Sequence, residues 1–432
     1  MFNPIEIIQT FEHLLKNIMK RIVISLFIIA TVFSSCKKDN KIKNTEFKSG
    51  PWRATLKVQD NKSLPFLMEV MEDQTLQIFN AEEIIDIDEV WIEGDSIKIK
   101  FPVFEGYIAA RFIDSITITG SFIKESQDRI VPFEAKYGEQ DRFDILSKPK
   151  YNITGNWETV FSKDKDADRY IAKGIFTQNG NIVTGTFRTT TGDYRYLEGV
   201  INKDQLQLST FDGAHAFLFT GQITGNTLKG YFYSGNHWKE PFVAKKNEHY
   251  ELPLEDSLTF LKEGYKTLEF NFPDSKGNKV SLQDKKFEDK VVVVQIMGTW
   301  CPNCMDETKY YVDYYNSHKN ADVEFVALAF EYAKTKEKAF TSIQRLQSKL
   351  KVEYPILLAQ YGTSDKEKAQ EKLPMLNHVL SYPTTIIIDK KGQVRKIHTG
   401  FNGPATGQKY IDFKKDFDSF IKQLLKEEKK PD

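Results

Sequence analysis

From about residue 49 to residue 247, apolar and polar positions alternate in short runs, a pattern that predicts antiparallel strands with one face toward a core. Arg53-Ala54-Thr55-Leu56-Lys57-Val58, Ser96-Ile97-Lys98-Ile99-Lys100-Phe101 and Thr227-Leu228-Lys229-Gly230-Tyr231-Phe232 are of this kind. Turn signals separate the runs: Asn179-Gly180, Thr191-Gly192-Asp193 and Gly225-Asn226 supply the positive φ angles that tight hairpins require. Near Glu251 the pattern changes, through Leu252-Pro253-Leu254, into a block that mixes strands with helices. There Val291-Val292-Val293-Val294-Gln295-Ile296-Met297 reads as a buried central strand, and the spacing from Met305 to Tyr315 predicts a helix ending in the polar turn Asn316-Ser317-His318.

The β-rich stretch repeats itself. Ser49-Gly50-Pro51-Trp52 matches Thr154-Gly155-Asn156-Trp157, and Asp95-Ser96-Ile97-Lys98-Ile99 matches Asp204-Gln205-Leu206-Gln207-Leu208. Thr119-Gly120-Ser121-Phe122 matches Lys229-Gly230-Tyr231-Phe232, and Val131-Pro132-Phe133-Glu134-Ala135-Lys136 matches Glu240-Pro241-Phe242-Val243-Ala244-Lys245. Four matches in one order, offset by about 105 to 110 residues, mark an internal duplication. Each copy has room for about eight short strands, enough for a meander that closes into a barrel; one larger sheet or sandwich shared by both copies stays open. The Gly-x-Trp openings resemble those of lipocalin-like barrels. The expected organisation is multidomain, with β-rich repeats over 49–140 and 150–247 and an α/β domain over 262–432.

Ahead of the repeats, residues 19–36 read MKRIVISLFIIATVFSSC. Lys20 and Arg21 precede an apolar run of about 12 residues, short of the roughly 20 that span a bilayer, and Ser34 and Ser35 precede Cys36. This resembles a bacterial lipoprotein signal. The resemblance implies cleavage before Cys36, acylation of Cys36 and loss of residues 1–35; residues 1–18 do not read as a signal n-region, so Met19 is the expected start. Residues 36–48 are then a polar, lipid-anchored linker.

Lys plus Arg and Asp plus Glu both total 60, so no chain-wide field draws the protein to nucleic acid, and no nucleic-acid partner is expected. The three cysteines, Cys36, Cys301 and Cys304, exclude a structural disulfide framework. In the second repeat Asp212, His215 and His237 match no metal-ligand spacing and read as structural residues, so neither a metal nor another cofactor is expected.

The remaining chemistry lies in Trp300-Cys301-Pro302-Asn303-Cys304, between the predicted central strand and helix. A helix N-terminus stabilises a thiolate, so Cys301 is the expected nucleophile. Cys304, one turn inward, is positioned to resolve a mixed disulfide on Cys301.

These residues resemble the thioredoxin superfamily over roughly 267 to the C-terminus, implying a thioredoxin-like α/β fold. Leu268-Glu269-Phe270-Asn271-Phe272-Pro273-Asp274 and Gly277-Asn278-Lys279-Val280-Ser281-Leu282 resemble the opening of its TlpA/ResA-like branch, tethered extracytoplasmic reductases. The resemblance implies a protein facing the bacterial periplasm, protein disulfide clients such as apocytochromes c, and a membrane electron donor. It also implies that Tyr382-Pro383-Thr384-Thr385 is the cis-proline loop, with Pro383 facing the cysteines, and that Trp300 belongs to the site. Glu307 matches a glutamate that this branch uses near its active site, where it is either a proton shuttle or a surface carboxylate in the first turns of the helix. Gln295 stands where thioredoxins proper carry a buried aspartate and cannot act as a base.

Two other functions stay open. A thiol peroxidase of the redoxin group would have threonine three residues before the reactive cysteine, where this chain has Gly298, with Thr299 next to it. Alternatively, the repeats are the main business of a ligand- or partner-binding lipoprotein and the redox domain is accessory.

Overall fold

The computed structural model describes residues 47–319 and 321–428; the expected signal, Cys36 and nearly all of the expected linker lie outside the described residues. No helix among the described residues is long and apolar enough to cross a membrane.

Two nine-stranded antiparallel sheets come first, followed by a five-stranded mixed sheet with helices. The first sheet runs in the order Glu83–Ile87, Leu76–Asn80, Ser63–Val70, Gly50–Lys57, Arg129–Tyr137, Thr117–Lys124, Tyr107–Asp114, Ser96–Lys100, Glu89–Glu93. Its two edge strands are consecutive in sequence, joined through Asp88, and no ladder connects them among the described residues. The second sheet runs Tyr170–Asn179, Gly155–Phe161, Trp238–Lys246, Thr227–Ser234, Ala216–Thr224, Gln205–Phe211, Leu197–Asn202, Ile182–Thr189, Gly192–Asp193. Here Tyr170–Asn179 also pairs with Ile182–Thr189, from Ala172 opposite Thr189 to Asn179 opposite Ile182, and because Ile182–Thr189 pairs as well with Leu197–Asn202 the ring of ladders closes a barrel.

The duplication is written into matching anchors. Gly50 and Gly155 both adopt φ 118°, a conformation that favours glycine, and the tryptophan two residues on is buried in each copy. Trp52 Nε1 donates to Lys48 O at 2.9 Å and Trp157 Nε1 to Ile153 O at 2.8 Å. Both copies have nine strands rather than about eight. In the second, the extra one is the two-residue Gly192–Asp193, too short for alternation to reveal.

The copies differ in where their cores lie. The second barrel encloses its own aromatic core, in which Phe187 sits 4.9 Å from Phe219 and 5.5 Å from Phe161. The core of the first sheet is continuous with that of the C-terminal domain and receives Phe211 from the second barrel. The Phe211 ring lies 4.4 Å from Phe66, 5.3 Å from Phe101 and 5.0 Å from Phe122.

In the C-terminal domain the strand order is Ile356–Gln360, Val323–Phe330, Val291–Met297, Thr384–Ile388, Val394–Thr399. The first three strands are parallel and the last two antiparallel to their neighbours. Every residue of Val291–Met297 is buried, as expected for a central strand covered on both faces. Helices Pro302–Ser317, Lys336–Leu350, Lys366–Lys372 and Gln408–Lys426 complete the domain. The first begins three residues before the predicted start, because Cys301 caps it and Pro302, with no N–H to leave unpaired, opens it.

Candidate active site

The buried strand Val291–Met297 delivers Gly298-Thr299-Trp300 to the sheet edge, where the chain turns into helix Pro302–Ser317. Cys301 and Cys304 are joined in a disulfide with Cα atoms 5.2 Å apart. Cys301 is 6% exposed and Cys304 fully buried, so the outer sulfur is the one a partner reaches. Cys301 Sγ accepts the N–H of Cys304 at 3.2 Å, a contact that together with the helix N-terminus favours a thiolate on Cys301 after reduction. The same sulfur lies 3.4 Å from the Tyr382 carbonyl oxygen, and the Tyr382–Pro383 peptide is cis. Trp300 packs edge-on to Tyr382 at 5.5 Å and against Tyr332 at 4.3 Å, with its indole N–H held by Phe330 O at 2.9 Å. Trp300, Cys301, Cys304 and Pro383 therefore meet at one place.

Glu307 meets them from below. It is fully buried, not a surface carboxylate. Its oxygens accept from Gln295 Nε2 at 2.9 Å, Thr385 Oγ1 at 2.8 Å and Tyr311 OH at 3.1 Å. Burial pushes its pKa up to about 7 against the opposing pull of these donors. Gln295 also donates to the Cys304 carbonyl at 3.3 Å. An amide thus occupies the strand position, while the acid comes from the helix facing it.

A second buried carboxylate escaped the sequence reading. Glu331 accepts from the Thr299 backbone N–H at 2.8 Å and from the Thr299 hydroxyl at 2.6 Å, and burial pushes it up to about 7. It fixes the turn that presents Trp300 and Cys301.

The second barrel reaches the cysteines. Asn303, between them, donates to Asp193 O at 3.1 Å, and a Cβ on Gly192 would come within 2.2 Å of the Asn303 amide nitrogen. Ser381, beside the cis-proline loop, donates to Thr191 O at 2.9 Å. The turn signal at Thr191-Gly192-Asp193 therefore marks a cap resting on the disulfide. Arg195 secures it: buried, it pairs with Asp306 and Glu83, approaches Asp212 at 3.1 Å and donates to Pro302 O at 3.3 Å. Nothing local in the sequence links Arg195 to a helix 111 positions away.

Asp212 and His215 do meet, at 3.3 Å, but Asp212 also faces Arg195. Burial alone would raise Asp212; His215 and Arg195 outweigh it and hold the carboxyl below its ordinary range. No group of three His, Cys, Asp or Glu side chains suited to a metal occurs among the described residues.

Residues 262–410 match the Redoxin family. Over 140 residues the chain is 29% identical to the thioredoxin-like protein YneN of Bacillus subtilis, covering 32% of this chain and 73% of that one. It is 28% identical over 132 residues to the thiol-disulfide oxidoreductase ResA of Geobacillus kaustophilus, covering 31% of this chain and 66% of that one. Among solved structures, a thioredoxin-family thiol:disulfide interchange protein from Chlorobium tepidum is 18% identical, with a TM-score of 0.29, covering 38% of this chain and 98% of that one. The C-terminal domain, whose redoxin match carries the Cys301–Cys304 pair, is thus similar to TlpA/ResA-like proteins of the thioredoxin superfamily, and this similarity supports a thiol-disulfide oxidoreductase.

Proposed function

We propose that the protein is anchored by lipid on Cys36 outside the cytoplasm, facing the periplasm, and there reduces protein disulfides through Cys301 and Cys304. The observation that carries the redox part is the pairing of the two cysteines at a strand-to-helix junction beside the Tyr382–Pro383 loop, with the inner sulfur buried. The anchor and location rest on the 19–36 segment and on resemblance to tethered TlpA/ResA-like reductases.

In the reduced protein, the Cys301 thiolate attacks a client disulfide; that bond breaks, a mixed disulfide forms and one client thiolate leaves. Cys304 then gives up its proton and attacks Cys301 Sγ. The mixed bond breaks, the Cys301–Cys304 disulfide forms, and the second client sulfur departs and is protonated. Two electrons have passed to the client, and a donor in the membrane returns two to the protein. Glu307, one helical turn beyond Cys304 and pushed up to about 7, is the group assigned to take and return the Cys304 proton near neutral pH. Clients of the apocytochrome c type fit this chemistry.

The test is the reduction potential of the Cys301–Cys304 pair in soluble protein beginning after Cys36. A value near about −270 mV supports a reductant; one near about −120 mV marks an oxidant of folding proteins and overturns the direction proposed. Absence of a reversible disulfide removes the redox reading altogether.

A further inference from the structure

Next to the disulfide, on the far side of Trp300, lies a small cavity of about 150 Å³. Trp300 and Tyr332 form its wall toward the active site, and residues of both β repeats form the rest, among them Lys124, Arg129, Gln127 and His237. Its charge is one-sided. Lys124 Nζ has a neutral partner, Ala214 O at 3.2 Å, and takes part in no ion pair among the described residues. The Arg129 side chain makes neither an ion pair nor a hydrogen bond among the described residues.

The carboxylates nearest this cluster, Glu105 and Asp212 among them, act on Lys124 through space but form no ion pair with it. Asp212 faces Arg195 and His215, Glu105 accepts from Ser126, and Asp128 pairs with Lys334 at 2.9 Å. The imbalance is felt by the cluster itself. Burial and the neighbouring Arg129 push Lys124 down to about 8, and partial desolvation together with Arg129 and Lys124 pushes His237 down to about 4. The Gln127 side-chain oxygen, also in the wall, is buried without a hydrogen-bond partner. Two cations without a directly paired anion and an acceptor without a donor describe a site completed by a carboxylate with an N–H close by.

We propose that this cavity binds an acidic side chain of the disulfide-bearing client peptide, with Lys124 and Arg129 pairing with its carboxylate while Trp300 and Tyr332 flank it beside Cys301. The proposal rests on the reading that Cys301 and Cys304 reduce protein disulfides. The size suits it: the space takes one side chain, not a folded surface. Its position suits it too, because the Trp300 ring that walls the cavity also packs on Tyr382, whose carbonyl touches Cys301. Lys124 and Arg129 are thus specificity-determining residues contributed by the first repeat.

The experiment compares two cystine-bridged peptides that are identical except for glutamate or glutamine flanking the cystine, each reduced by the full-length reduced protein. The glutamate peptide is expected to react about tenfold faster, equivalent to about 1.4 kcal/mol. Lys124→Met and Arg129→Met should each remove most of that preference while leaving the glutamine peptide's rate unchanged. With no substitution at all, raising ionic strength from about 0.05 M to about 0.5 M should narrow the ratio. Equal rates for the two peptides with the native protein, or a preference that survives both substitutions, overturn the proposal. If neither peptide is reduced, the disulfide-reductase reading falls and takes the proposal with it, a result distinct from a protein that reduces both peptides equally.

Discussion

The two β repeats share a strand order and a Gly-x-Trp anchor, yet one closes and the other does not. In the second, Ile182–Thr189 pairs on one side with Tyr170–Asn179 and on the other with Leu197–Asn202, and the barrel seals around its own aromatic core. In the first, Ser63–Val70 pairs with Leu76–Asn80 in the same way, but the ring stays open between Glu83–Ile87 and Glu89–Glu93, and the core draws on neighbours instead: Phe211 from the barrel and the apolar side of the redox domain. Pairing across that gap, with the duplicated anchors held constant, separates a self-sufficient copy from an adaptor. The self-sufficient copy is the one free to lend a loop, 191–195, to the active site.

The largest effect should separate the copies directly. Phe211→Ala and Phe187→Ala each remove a buried aromatic ring and should each cost about 3–5 kcal/mol. By hydrogen exchange, Phe211→Ala should loosen the first sheet while the second barrel keeps its protection, and Phe187→Ala should do the reverse; the same pattern for both would erase the distinction. Arg195→Met should cost about 3–5 kcal/mol, because it strands Glu83, Asp212 and Asp306 without their cation. Chemical denaturation measures it, and a loss below about 1 kcal/mol would mean that the cap is held by backbone contacts alone.

A pH scan probes the buried carboxylates of the redox core. Burial raises Glu307 and Glu331 from 4.5 to about 7, so the stability linked to their protonation is complete below about 4.5 and is lost as pH rises through 7. Glu307→Gln should flatten that slope and shift the pH profile of Cys304 reactivity; an unchanged profile removes Glu307 from the proton path. The smallest effect is expected at the cap. Gly192 has φ 145° and abuts Asn303, so Gly192→Ala should cost about 1–3 kcal/mol and make the disulfide react faster with a small thiol. No change in that rate would mean the cap leaves Cys301 equally accessible with or without its close fit.

Much of this was legible in the sequence wherever the determinant is local. Alternation around Trp52 and Trp157, the β-branched run before Trp300 and the spacing of Cys301 and Cys304 each fix a short stretch of backbone, and the strands and the helix formed there. What stayed illegible depends on groups brought together from afar. Whether Glu307 is buried depends on Gln295, Tyr311 and Thr385 closing over it, and only Tyr311 shares its helix. Arg195 and Glu331 left no pattern, because a single charge opposite a distant partner has no periodicity. The turn at Thr191-Gly192-Asp193 was visible as a turn, but its destination was not.

Arg195 lies where the first repeat, the second repeat and the active-site helix converge. That junction limits how such a protein can be rearranged over evolutionary time. A redox domain without a carboxylate at position 306 would leave Arg195 short of a partner, and a lost repeat would leave unpaired charge at the cut face. The β repeats and the redox domain are thereby tied into one electrostatic unit, although each has the look of a separable part.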